Sequence, residues 1–146
     1  MLTIYGIKNC DTMKKAFTWL DGQGIAYQFH DYKKAALDEK TLDDWLNRVG
    51  WQAIVNQKGT TWRKLALDKN TLDNQSIKPI ILQNLSMIKR PLLVLDNNDI
   101  VLGFDVEQWQ HFAPSTMLRA GQAQWPFFVI KFIPNLAFIY AALHHF

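Results

Sequence analysis

An α/β fold is predicted for this chain by three features: a β-α-β pattern at its start, amphipathic helices in its middle, and a strand-turn-strand-helix run before an apolar tail. The chain has 146 residues, 49% of them hydrophobic and 20% charged. That length and balance suit one domain with one core. Six Trp and nine Phe add large apolar side chains, which are usually core material.

Leu2 to Tyr5 reads as a short buried strand ending at Gly6. A helix follows from Asp11 to Gln23, because Met13, Ala16, Phe17 and Leu20 fall at i, i+3, i+4 and i+7. Gly22 and Gly24 end it. Ala26 to Tyr32 alternates weakly and reads as a second strand, parallel to the first because a helix joins them. Leu37, Leu42, Trp45, Leu46 and Val49 mark a second amphipathic helix stopped by Gly50. Gly50 to Asn70 reads as a loop and then a short helix capped by Thr60 or Thr61. A further helix is expected from Ser76 to Met87, with Pro79 tolerated in its first turn.

Leu92 to Leu95 reads as a buried strand, Asp96 to Asp99 as a turn, and Ile100 to Leu102 as the returning strand. Val106 to Phe112 reads as a closing helix capped by Asp105. The order βαβ, helices, ββα is that of a thioredoxin-like fold with a helical insert. The domain is expected to occupy 1–118. Residues 119–146 form an apolar C-terminal extension, almost wholly hydrophobic from Trp125 but broken by Lys131 and Pro134. A helix packed on this domain or on a second copy is the expected use of that extension, with membrane contact as the alternative.

Net charge is +3, with 16 basic and 13 acidic residues scattered along the chain. Without a block of like charge, no nucleic-acid partner is expected; a small anionic ligand fits equally well. Met1-Leu2-Thr3-Ile4 runs straight into a strand, so no secretory leader is expected and the location is read as cytoplasmic.

The most informative count is one cysteine, Cys10. It excludes an internal disulfide and a multi-cysteine zinc site. His30, His111, His144 and His145 have no metal-ligand spacing with it, so no metal is expected. Cys10 falls between a strand and a helix start, where unpaired N–H groups and the helix dipole favour a thiolate. Lys8, Lys14 and Lys15 add positive charge nearby. The competing role is that of a small buried hydrophobe.

Arg63 and Arg90 are the best anion-binding residues, each able to hold a carboxylate or oxyanion in a bidentate fork. The alternative for each is a solvated surface charge. The Arg90–Pro91 bond, at a strand start, is a candidate cis peptide. His30 is expected to be a hydrogen-bonded structural residue.

Ile4-Tyr5-Gly6-Ile7-Lys8-Asn9-Cys10-Asp11-Thr12, Phe29-His30-Asp31-Tyr32, Asn56-Gln57-Lys58-Gly59-Thr60-Thr61-Trp62-Arg63-Lys64-Leu65, Lys89-Arg90-Pro91 and Leu102-Gly103-Phe104-Asp105 together resemble the arsenate reductase (ArsC) family. Within it they look most like the YffB branch, a relative of the regulator Spx. The resemblance covers 1–112. It implies a nucleophilic cysteine at Cys10, and Arg63 and Arg90 match two of the three arginines of arsenate-reducing members. The third falls at Gly103, and a histidine of those members falls at Gly6. The C-x-x-C switch common in Spx-like regulators has Met13 as its fourth residue here.

The resulting expectation is a thiol-dependent reductase. Cys10 attacks an oxidised substrate of unknown identity. Glutathione or another small thiol serves as co-substrate, and no cofactor is bound. Arg63, Arg90 and Lys8 would hold anionic groups. Backbone N–H groups of Asp11 and Thr12 would stabilise charge on sulfur, and Thr60, Thr61 and Trp62 would line the site. A non-catalytic Spx-like module docking on transcription machinery, and an arsenate reductase, are the alternatives.

Overall fold

The computed structural model describes residues 1–112; the expected domain end at 118 and the extension 119–146 lie outside the described residues. Four strands form one sheet in the order β2-β1-β3-β4: β1 Leu2–Gly6, β2 Tyr27–Asp31, β3 Leu92–Val94 and β4 Ile100–Leu102. β1 pairs β2 in parallel, Leu2 with Tyr27 through Gly6 with Asp31. It pairs β3 antiparallel, Tyr5 with Leu92, and β3 returns through β4. The expected strands and their directions are all present.

Alternation along β1 divides the core into two layers. Leu2 and Ile4 pack with Met13, Ala16 and Leu20 of helix α1 (Asp11–Gly22) and with Trp109 of the helix at 106–112. Asp105 caps that closing helix as expected, its carboxylate accepting from the Gln108 N–H at 3.2 Å. Tyr5 faces the other layer, where Leu42, Trp45 and Leu46 of α2 (Glu39–Val49) meet Ile77 and Ile81 of α5 (Asn74–Gln83). Each such buried side chain contributes about 1.5–3 kcal/mol relative to exposure.

The middle of the chain differs from its sequence reading in three places. Trp51–Ile54 forms a one-turn helix, α3, where a loop was expected. Helix α4, Thr60–Leu65, is preceded by Gly59 at the cap position, and neither Thr60 nor Thr61 serves as the cap. Helix α5 begins two residues early because Asp73 and Ser76 form a reciprocal capping box, each side chain bonding the other's backbone N–H at 2.9 and 2.7 Å. Pro79 therefore lies inside α5 and not in its first turn. The carbonyl it leaves without a donor belongs to Gln75, which is exposed to water. The helix stops at Gln83, and Leu85–Met87 continues as a 3₁₀ turn.

Among the described residues no helix is long and apolar enough to cross a membrane.

Candidate functional site

β1 ends at Gly6, and the four residues after it turn the chain back into α1. Cys10 stands at the N-cap position with extended backbone, φ −143° and ψ 130°. Its N–H donates to the Lys8 carbonyl at 3.1 Å, and its own carbonyl accepts from the Lys14 N–H at 3.0 Å. Its side chain makes no capping hydrogen bond. The thiol is half-buried and packs against the α1-side core. As the N-cap residue, Cys10 stands at the start of a twelve-residue helix whose leading N–H groups have no intrahelical partner. Lys8, Asp11 and Thr12 are exposed around it. Asp11 and Lys14 form an ion pair at 3.9 Å, which solvent screens.

Gly6 and Met13 form a matched pair beneath this turn. Met13 is fully buried, and a Cβ on Gly6 would stand 2.5 Å from its sulfur. No side chain fits at Gly6 while Met13 occupies that space. The positions of the histidine and of the second cysteine in the related patterns are thus in direct contact here.

Arg90 reaches the same end of the sheet from the other direction. It lies two residues before Leu92, whose strand partner is Tyr5, the neighbour of Gly6. The Arg90–Pro91 bond is cis, as the sequence suggested, and Pro91 is buried while Arg90 is half-exposed. Arg63 is exposed on α4. That helix is tied to the approach to Arg90 by Thr61 and Ser86, whose hydroxyls are 3.0 Å apart. Two backbone bonds of 2.8 Å, Asn56 N–H to the Met87 carbonyl and Lys89 N–H to the Ile54 carbonyl, lace the same segments. Thr60 is exposed at the start of α4. Trp62, expected to line the site, is instead 6% exposed, and its ring stacks on Trp51 at 5.8 Å in the insert core.

A polar cluster that sequence reasoning passed over lies on the insert face of β1 and β2. The rings of Tyr5 and His30, paired across the strands, are 5.1 Å apart. Tyr32 lies 5.8 Å from His30, and its N–H donates to the Gly6 carbonyl at 2.9 Å. The Tyr32 hydroxyl and His30 Nε2 are buried with no hydrogen-bond partner. His30 Nε2 thus lacks the bond expected of it. Burial pushes the Tyr32 phenol far up, the Tyr5 phenol adds to this, and the Arg90 guanidinium opposes it. Burial also raises Tyr5. The only sequence signal for this cluster was alternation in Gln28-Phe29-His30-Asp31-Tyr32, which puts residues 28, 30 and 32 on one face.

A cleft of about 740 Å³ opens at the opposite end of β3, where Arg48, Asp96, Asn98 and Gln108 line it. None of the candidate residues borders it.

The fold that carries Cys10, Arg63 and Arg90 is matched by known proteins. The ArsC family model covers residues 5–112. This chain belongs to the ArsC family. A solved structure of a YffB protein is 41% identical, covers 76% of this chain and 97% of its own, and superposes with a TM-score of 0.67. An arsenate reductase-related protein of Brucella melitensis is 46% identical, covers 76% and 92% of the two chains, and has a TM-score of 0.62. The global transcriptional regulator Spx of Streptococcus agalactiae is 27% identical over 116 residues, 78% of this chain and 84% of Spx. The ArsC-like, YffB-like and Spx-related resemblance is thereby established, together with its thioredoxin-like fold.

Gly103 stands where the resemblance sets the third arginine of arsenate-reducing members. Its φ is +79°, a left-handed conformation that disfavours any side chain, although open space surrounds it.

Proposed function

We propose that this ArsC-family protein is a thiol-dependent reductase whose one nucleophile is Cys10. The observation that carries this reading is the position of Cys10: half-exposed, at the N-terminus of α1, with no hydrogen bond holding its sulfur to the helix. In the reaction, the Cys10 thiolate attacks one sulfur of an oxidised substrate. A Cys10–substrate disulfide forms, and the other half of the substrate leaves as a thiolate. Glutathione then attacks the mixed disulfide, releasing Cys10 and carrying off the bound half as a new disulfide. No second cysteine exists in the chain to close the cycle internally. The leading N–H groups of α1, from Asp11 and Thr12, favour the departing and returning thiolate. Arg90, with Arg63 and Lys8 at the rim, holds the carboxylates of glutathione or the anionic part of the substrate.

Turnover tests this directly. Reduction of a small symmetric disulfide in the presence of glutathione should be accelerated by the protein and not by Cys10→Ser. Equal rates for the two proteins would remove the reductase.

The likeness to Spx supports a second reading, a binding module acting on transcription without turnover. Retention of RNA polymerase by the immobilised protein, with no thiol-reductase activity, would favour it. An arsenate reductase is disfavoured, because an oxyanion of high charge loses complementarity without the third guanidinium.

A further inference from the structure

Buried polar atoms are almost always hydrogen-bonded, and leaving one without a partner costs about 1–3 kcal/mol. Two such atoms, the Tyr32 hydroxyl and His30 Nε2, belong to neighbouring rings on the insert face, with centroids 5.8 Å apart. Tyr32 is 9% exposed, so the hydroxyl is not relieved by bulk water. Its backbone is bonded to Gly6, at the strand end from which the Cys10 turn departs. On the other side of β1 the chain brings in Arg90, two residues ahead of the Leu92–Tyr5 pair. The Arg90 guanidinium opposes the upward push on the phenol, and the hydroxyl makes no hydrogen bond.

We infer that Tyr32 is a positioning residue for Arg90: when Arg90 turns to hold an anion, its guanidinium donates to the Tyr32 hydroxyl, which donates in turn to His30 Nε2. This rests on the reading of Arg90 as an anion-binding residue. An arginine that presents two N–H groups to a carboxylate keeps others free, and these need an acceptor. Tyr32 offers one that nothing else uses. The imidazole offers the acceptor for the phenol's own proton. Both unpartnered atoms would then be satisfied only in the occupied state, which links anion binding to the insert core.

The test is calorimetric titration with S-methylglutathione, a thioether that carries the glutathione carboxylates but cannot react with Cys10. Tyr32→Phe should weaken binding about tenfold, as expected for a hydrogen bond to a charged group. Tyr32→Phe combined with Arg90→Ala should bind no more weakly than Arg90→Ala alone. Tyr32→Phe should also unfold at the same temperature as wild type or higher, since it deletes an unpartnered hydroxyl. Wild-type affinity in Tyr32→Phe, while Arg90→Ala is weakened, would overturn the inference and leave the anion site intact. Wild-type affinity in Arg90→Ala would overturn the anion site itself. Additive losses in the double variant, or a lowered unfolding temperature for Tyr32→Phe, would assign the hydroxyl to structure alone.

Discussion

At the end of β1 the α1 face and the insert face of the sheet are built from different materials. Toward α1, Gly6 is closed by the thioether of Met13, and Leu2, Ile4, Ala16 and Leu20 fill the layer, where none of the described residues has a buried unpaired side-chain polar atom. Toward the insert, Tyr5, His30 and Tyr32 cluster against Trp45, and two polar atoms have no partner. Cys10, the proposed nucleophile, thus sits on a side shaped by fit, where its position follows from how α1 packs. Arg90, proposed to hold the anion, comes in beside a side that is polar and incompletely satisfied. A site divided this way can change its anion preference on the insert face while the cysteine stays fixed on the other.

The largest effect should come from the insert core. Trp45 is 1% exposed and meets Tyr5 edge-on at 4.7 Å. Trp45→Ala should lose about 3–5 kcal/mol of stability in urea unfolding. If Cys10 still alkylates at its wild-type rate in the folded fraction, the two faces are independent. A changed rate would join them.

The next effect separates ligand holding from net charge. Arg90→Ala should lose about 1.5–3 kcal/mol of affinity for S-methylglutathione. Lys40→Ala, which removes one positive charge from the exposed start of α2, should lose little. Equal affinities for the two variants would take Arg90 out of the site.

On the α1 face, Gly6→Ala should cost about 1–3 kcal/mol, the usual range for overpacking. Combined with Met13→Ala, its cost should fall well below the sum of the single changes, because the clash is with the Met13 side chain. Additive costs would show that Gly6 is required for another reason.

The smallest effect lies at the exposed start of α5. The Ser76 backbone N–H and then its hydroxyl hold the Asp73 carboxyl below its ordinary value of 3.8. A lowered folded value means that the charged cap stabilises above the ordinary carboxylate range and loses that contribution as pH falls through the lowered value. Asp73→Asn should therefore lose a little stability at neutral pH and converge on wild type as pH falls, flattening the acid limb of the profile in urea unfolding measured across pH.

The strands and α2 were legible in the sequence because their apolar spacing matches one period over several residues. Helix α3 was not, since Trp51–Ile54 is too short for any period to register. The start of α5 was missed because Ser76 completes a capping box at a position where Glu or Gln is the usual signal. Cys10 was legible because a strand, Gly6 and a helix start bracket it. Trp62 was not, because its partner Trp51 lies eleven positions away and only the packing of α3 on α4 joins them. The polar cluster was half-legible: alternation gathers His30 and Tyr32 on one face, but nothing in their spacing says that two of their atoms would be left unpaired.

The central claim is that Cys10 is an accessible nucleophile resolved from outside the chain. Mass spectrometry of the native protein after incubation with oxidised glutathione tests it most directly. The account predicts one glutathione per chain, attached at Cys10, removable by reduced glutathione and absent in Cys10→Ser. A wild-type protein that takes up no glutathione when native, yet reacts readily once unfolded, would contradict it.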